Sequence, residues 1–430
     1  MYDFIGIGAG PANLSLAIQA LESGEASHNF LIVEKEQDVR WHPGMMLPGC
    51  RLDTHFAKDL ITMLNPKSEF TFLNFLSEKN RLADFLNCGT PHPYREEFDE
   101  YIGWAANKMS PFIAKGREVI AIESIPTGGF CLHCKLADGE IEELTALNVV
   151  IGAGGKPNYI CGLNQNSPNI IHSSDFMNRR QDLRPNDPNA KIIVVGSGQS
   201  AGELIQYLLR ETVCDIHVSL ADFALLAKEG TAFINESYNG DFVDRFYNLN
   251  PDMRAWFKEK RQNMNYGVVD SEILNSLYND HYYQKHFNNR SITFRSFTRV
   301  EEVLPFENFA QVKISNHETE TMIEERFDHV VLATGYTPSF DKSMIQHLLT
   351  ESSQNADELA VNRDFSLSGL SREISGQIYM NGNVSDSHGP AEDVLSVISH
   401  RSRDILKAIE TASIRSQPSS YSTLNSIAIQ

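Results

Sequence analysis

Two glycine-rich turns, each between an apolar run and a helix-forming stretch, constrain this chain most. The first is Gly6-Ile7-Gly8-Ala9-Gly10-Pro11-Ala12-Asn13, preceded by Phe4 and Ile5. The second is Gly196-Ser197-Gly198-Gln199-Ser200-Ala201, preceded by Ile192, Ile193, Val194 and Val195. A strand that enters a glycine turn and then a helix is the context in which a dinucleotide binds. The first glycine permits the tight turn, the second lets the backbone approach a pyrophosphate, and the helix N-terminus supplies N–H donors and partial positive charge. One Gly-x-Gly occurs in ordinary loops, but two in this context predict two nucleotide sites. The fold class expected is α/β, with two Rossmann-like domains. Glu34 closes the run Phe30-Leu31-Ile32-Val33, about twenty residues past the first glycines, where an acid accepts from a ribose hydroxyl and repels a 2′-phosphate. The first site therefore suits FAD or NAD better than NADP.

At 430 residues the chain has room for two or three domains and a large core. Its net charge of −19 disfavours nucleic acid and anionic membranes as partners. No run approaches the roughly twenty apolar residues of a membrane span, and the first residues already read as a strand, so a cytoplasmic protein without a membrane span is expected. Cys131-Leu-His-Cys134 has the spacing of a metal or redox pair. However, Phe130 to Leu136 reads as a strand, which places the two thiols on opposite faces, and no second pair completes a zinc site. No metal is expected. No triad or paired carboxylates stand out either, so no catalytic side chain is assigned.

Residues 1–165 form the first expected domain, ending in the strand and glycine turn Leu147 to Pro157. Residues 170–223 and 290–339 form the second. The prolines at 168, 185 and 188 make Ser167 to Ala190 read as a linker. An aromatic-rich helical insertion, 224–289, interrupts the second domain. Residues 340–412, with Gln377-Ile-Tyr-Met-Asn-Gly and a helix from about Glu392 to Thr411, are expected to complete the first. The Ser-rich stretch 413–430 reads as a mobile tail.

Several stretches resemble the flavin-dependent N-hydroxylating monooxygenases, the L-ornithine, L-lysine and amine N-monooxygenases of siderophore biosynthesis. They are Trp41-His-Pro-Gly-Met45, Phe56-Ala-Lys-Asp-Leu60, Phe233-Ile-Asn-Glu236, Asn265-Tyr-Gly-Val-Val269, Ala333-Thr-Gly-Tyr336, and His388-Gly389 with Leu395-Ser-Val397. The resemblance runs from about residue 2 to 410, and Pro11 and Asn13 of the first turn share it. It implies an enzyme that uses FAD, NADPH and O2. NADPH reduces the flavin, O2 forms a C4a-hydroperoxyflavin, and the terminal amine of a small substrate attacks it. The cofactor carries the oxygen chemistry, which accounts for the lack of acid–base groups.

The resemblance also assigns site residues. Lys58 pairs with the carboxylate of an amino-acid substrate, Asn235 and Asn265 hold the substrate, and Ser396 contacts it beside the flavin. FAD is held by Gly6, Gly8, Gly10, Pro11, Asn13, Glu34, Trp41, His42, Asp53, His388 and Gly389. NADPH is held by Gly196, Ser197, Gly198, Gln199, Ser200, Arg95, Asn265, Thr334, Gly335 and Tyr336. Three positions depart from the family pattern. Asp53 replaces a glutamine beside the flavin. The segment His217 to Asp222 lacks the arginine that grips the 2′-phosphate in the family, and Lys228 is the substitute. Asp393 stands where a threonine is usual, at the substrate end. L-ornithine is the expected substrate. The alternatives are a decarboxylated amine (histamine, putrescine or cadaverine), which the extra carboxylate at Asp393 favours, and, in other classes, a flavin-dependent disulfide reductase or a non-catalytic nucleotide sensor. The resemblance further implies a homodimer or homotetramer.

Overall fold

The computed structural model describes residues 1–24, 28–160, 163, 167–354 and 359–416, with the side chains of Asp393 and 413–416 outside the description. The two largest sheets each carry one of the glycine turns, the first mixed and the second parallel. In the first, strands Ile113–Lys115, Phe30–Glu34, Tyr2–Ile7 and Ile141–Ile151 lie side by side and parallel. The long strand Ile141–Ile151 serves two partners along its other edge. Its first half pairs antiparallel with Phe130–Leu136, and its second half pairs parallel with Gln377–Met380, Val149 opposite Ile378. The last part of the chain thus returns to the first sheet.

The second sheet has the order Ile292–Arg295, Asp215–Ser219, Lys191–Val195, His329–Leu332, Ile170–His172, all parallel. Its strands are covered on both faces, so they read as unbroken apolar runs rather than alternating ones. Helix Gln199–Glu211 packs Leu204 and Leu208 over Ile192 and Val194 on one side. On the other, the antiparallel strands Thr298–Pro305, Ala310–Asn316 and Thr321–Phe327 pack Val300, Val312 and Phe327 against Ile193 and Val330. The two sheets are joined where Gly155–Pro157 pairs antiparallel with Tyr336–Pro338. Among the described residues, no helix is long and apolar enough to cross a membrane.

Three expectations need correction. The stretch read as a linker contains the edge strand Ile170–His172, three residues between proline-rich segments and too short to show a period. The last helix is Ile398–Ser416: Pro390 confines the preceding residues to tight 3-10 turns, and the helix runs through the first residues assigned to the tail. Residues 417–430 lie outside the described residues. Within the insertion, only Ala232–Asn235, Gly240–Tyr247 and Pro251–Lys260 form a separate helical region. Helix Ser271–Phe287 instead packs Leu277 into the core of the second sheet and leads into its strand Ile292–Arg295. The Cys131 and Cys134 run is the strand Phe130–Leu136, with both thiols buried.

Candidate active site

Both glycine turns present an open helix N-terminus. Helix Pro11–Glu22 is capped by Gly10 and helix Gln199–Glu211 by Gly198; neither has a side-chain cap or an acidic residue in its first turn. The leading N–H groups of each are therefore available to an anion, which the helix dipole also favours. A Cβ built on Gly10 meets nothing within 4 Å, and one on Gly198 meets only the Gly267 backbone, at 3.8 Å or more. The tight turn of the first motif falls on Gly8 (φ 89°), not on Gly6 as the motif suggested. Gly6 lies within the strand, where a side chain would strike Ile32 and Asn13. Gly8 packs on the carbonyl of Gly152, and Gly196 (φ 135°) packs on that of Ala333, so these two glycines occupy equivalent places in the two domains.

Glu34 stands beside the first turn. Its Oε2 accepts from the Ala9 N–H at 2.7 Å and its Oε1 from the Glu36 N–H at 3.0 Å. Asn13 is a correction, because it does not face the turn's open side. It is fully buried, donates to the Ile7 and Gly8 carbonyls at 3.0 and 2.9 Å, and accepts from Asn381 at 2.9 Å. It holds the turn's shape from behind.

The second turn is held from two sides. Gln199 accepts from the Asp270 N–H at 2.8 Å and donates to Glu203 at 2.9 Å. Glu203 takes both arms of Arg95, at 2.8 Å each, and Arg95 also donates to the Met45 carbonyl at 2.9 Å. Arg95 was assigned to the nucleotide, but the structure pairs its guanidinium with Glu203 across the two domains. Sequence reasoning missed Glu203, which carries no signal beyond its place one helical turn after Gln199. Cys50 lies near this pair; burial and the Glu203 charge push its thiol up to about 11. His42, in left-handed backbone at φ 53°, sits with its ring 5.6 Å from that of Tyr336. Partial desolvation by the surrounding protein and the Arg95 charge lower its pKa, although the side chain keeps contact with solvent. Trp41 meets His42 and Phe98 edge-on, and its backbone N–H donates to Asp99 at 2.6 Å.

Thr334 and Gly335 are also corrected. The Thr334 hydroxyl donates to the Asn158 carbonyl at 2.6 Å, and the Gly335 carbonyl takes the Asn158 N–H and His172 Nε2, both at 3.0 Å. They tie the crossing between the domains, and Tyr336 is left facing His42. Ser197 and Ser200 are half-buried at the open helix end.

On the substrate side, Asp53 and Lys228 form an ion pair that joins the first domain to the insertion. Lys228 is therefore not a free cation for a 2′-phosphate, and the Asp53 charge is matched. Lys228 also lies over the Tyr238 ring, at 5.8 Å. The Tyr238 hydroxyl donates to Asn265 Oδ1 at 2.7 Å, and Asn265 Nδ2 donates to the Pro390 carbonyl at 3.1 Å. Asn265 thus links the insertion to the turn after Gly389, while Gly267, two residues on, lies against Gly198. Asn235 is exposed at the end of a short helix, with a weak 3.5 Å bond to the Gly230 carbonyl. Ser396 is half-buried in the turn Leu395–Val397, and the Asp393 side chain lies outside the description. His388 is a correction: it is fully buried, stacks on Phe365 at 4.3 Å, and bonds Ser387 and the Arg363 carbonyl, so its ring faces protein. Gly389 (φ 101°) makes the sharp turn against Phe246. Lys58 is half-buried, and no ion-pair or hydrogen-bond partner for its ammonium is found among the described residues. Burial lowers its pKa.

Two equivalent, uncapped glycine turns, one on each sheet, define a protein that handles two dinucleotides. Residues 1–338 match the family described as L-lysine 6-monooxygenase/L-ornithine 5-monooxygenase, and the chain belongs to that family of flavin-dependent, NADPH-using amine monooxygenases. It is 32% identical over 433 residues to an L-ornithine N(5)-oxygenase of Arthrobotrys oligospora, covering 95% of this chain and 88% of that one. It is 29% identical to an L-ornithine N(5)-monooxygenase of Pseudomonas aeruginosa, covering 94% and 93%. The ornithine N-hydroxylase of Kutzneria sp. 744, solved with reduced FAD, NADP+ and L-ornithine, superposes with a TM-score of 0.88 at 28% identity, covering 96% of this chain and all of that one.

Proposed function

We propose that this protein hydroxylates the terminal amine of L-ornithine with FAD, NADPH and O2, for siderophore assembly. The observation that carries the substrate choice is Lys58, a half-buried cation without a protein carboxylate beside it. Such a cation suits an amino-acid carboxylate and repels a diamine. The pairing of Asp53 with Lys228 points the same way, because it removes one acidic group from those able to receive a second ammonium.

When bound, FAD reduced by NADPH would activate O2, the source of the oxygen atom that is transferred. The residues of the chain bind and orient. The open N–H groups after Gly10 suit the FAD pyrophosphate, with Glu34 placed for the ribose and Trp41, His42 and Gly389 around the flavin. The open N–H groups after Gly198 suit the NADPH pyrophosphate, with Ser197, Gln199, Ser200 and Tyr336 lining the approach. Asn265, held at both ends of its amide, retains one N–H and one lone pair for substrate or nicotinamide nucleotide. Asn235 and Ser396 complete the substrate contacts. The reading includes a cytoplasmic location and a homodimer or homotetramer.

The test is NADPH oxidation followed together with hydroxylamine formation for ornithine, lysine, putrescine, cadaverine and histamine. Ornithine is expected to give product. If ornithine gives only peroxide while another amine gives hydroxylamine, the substrate assignment falls.

A further inference from the structure

A run of buried polar groups passes from the first glycine turn to the loop that carries Asn265. Asn13 donates to the Ile7 and Gly8 carbonyls and accepts from Asn381 Nδ2 at 2.9 Å. Asn381 Oδ1 accepts from Arg401 Nε at 2.8 Å. Arg401 Nη1 then donates to Glu392 twice, to its carbonyl at 2.9 Å and to its carboxylate at 2.5 Å. Glu392 belongs to the turn Pro390–Asp393, and the Pro390 carbonyl accepts from Asn265 Nδ2 at 3.1 Å. The Arg401 and Glu392 side chains are 3% and 0% exposed, so both charges are removed from water.

A buried ion pair is a poor device for stability, because desolvating two charges offsets most of their attraction. What it supplies is geometry: the pair is satisfied in one arrangement and costly in others. Here that arrangement sets the distance between two loops with separate tasks. One is the turn at Gly8, shaped by Asn13. The other is the segment around Asn265, whose Gly267 lies against Gly198 of the second turn. Ser402, next to Arg401, also bonds the Ala12 carbonyl at 3.1 Å, so the same helix grips the start of helix Pro11–Glu22.

We propose that Arg401 and Glu392 are positioning residues: a buried pair that fixes the Asn265 loop relative to the first glycine turn, so that amine and flavin meet in register. The inference rests on the hydroxylase reading above. Loss of the pair lets the two sides drift, and NADPH is then spent on peroxide instead of hydroxylamine.

Arg401→Met and Glu392→Gln, the latter sterically mild, are compared with the unaltered protein as FAD-replete holoenzymes. The ratio of hydroxylamine formed to NADPH oxidised is expected to fall by roughly three-fold or more in both. Arg401→Lys, which keeps a charge for Glu392, is expected to recover part of it. A ratio equal to that of the unaltered protein in Arg401→Met and Glu392→Gln overturns the inference. If the unaltered protein hydroxylates none of the amines, the functional reading fails, and amide hydrogen exchange over residues 262–268 decides this one. Faster exchange in Arg401→Met supports it, and unchanged exchange overturns it.

Discussion

The guanidinium of Arg95 and the carboxylate of Glu203 meet through two hydrogen bonds of 2.8 Å, joining helix Arg95–Lys108 of the first domain to helix Gln199–Glu211 of the second. The Glu203 side chain is 1% exposed, so it has no water to fall back on. Arg95→Ala is expected to destabilise the protein by about 3–5 kcal/mol, the cost of leaving a buried charge unpaired. The double variant Arg95→Met with Glu203→Leu removes both charges and should recover most of that loss. Urea unfolding of the single and double variants checks this. A double variant as unstable as the single one would show that the two residues do not act as a pair.

Gly8 and Gly10 separate folding from binding. At Gly8 the positive φ costs an L-residue about 1–2 kcal/mol, and a side chain would also press on the Gly152 carbonyl. Gly8→Val is therefore expected to yield protein without FAD. At Gly10 the backbone is extended and a methyl meets no protein atom, so Gly10→Ala should fold normally. That methyl lies where a pyrophosphate approaches, so FAD affinity should still drop. Flavin absorbance after desalting, with circular dichroism as the folding control, is the measurement. A Gly10→Ala protein as yellow as the unaltered one would remove this turn from the flavin site.

The parts of the fold that were legible in the sequence are those where burial on both faces leaves an unbroken apolar run, as in Ile192 to Val195. Ile170–His172 was missed because three residues show no period, and the partner that makes them a strand, His329–Leu332, is far away in sequence. The open glycine turns were legible because local geometry demands glycine there. The polar supports were not. Asn13 reads as a ligand contact until Asn381 is seen behind it, and Arg95 reads as a free cation until Glu203 closes on it. Neither partner lies within a hundred residues along the chain, and a motif carries no record of what stands behind it.

Lys58→Ala tests the substrate end. If the ammonium receives the carboxylate of ornithine, removing it costs a charge-assisted hydrogen bond, and KM for ornithine should rise by roughly ten-fold or more. NADPH-dependent flavin reduction in the absence of amine should change little, because Lys58 contacts neither glycine turn. Oxidation of cadaverine, which has no carboxylate, should not worsen. Steady-state kinetics with both amines make the comparison. An ornithine KM within about two-fold of the original would take Lys58 out of the site.

His388 makes acid sensitivity a test of its buried role. Burial holds its pKa down to about 4, against 6.5 for the free side chain, despite the bond to the Arg363 carbonyl. The unfolded chain therefore takes up this proton first as pH falls. Stability from this group is intact above about pH 6.5, is lost at up to about 1.4 kcal/mol per pH unit down to about pH 4, and levels off below. His388→Gln has no such proton to bind. Between about pH 7.5 and pH 5 its unfolding free energy should fall by roughly 2 kcal/mol less than that of the unaltered protein. The other buried histidines titrate in both proteins and cancel in the difference. Equal losses in the two proteins would mean that the His388 ring is reached by water in solution, and that it faces the cleft after all.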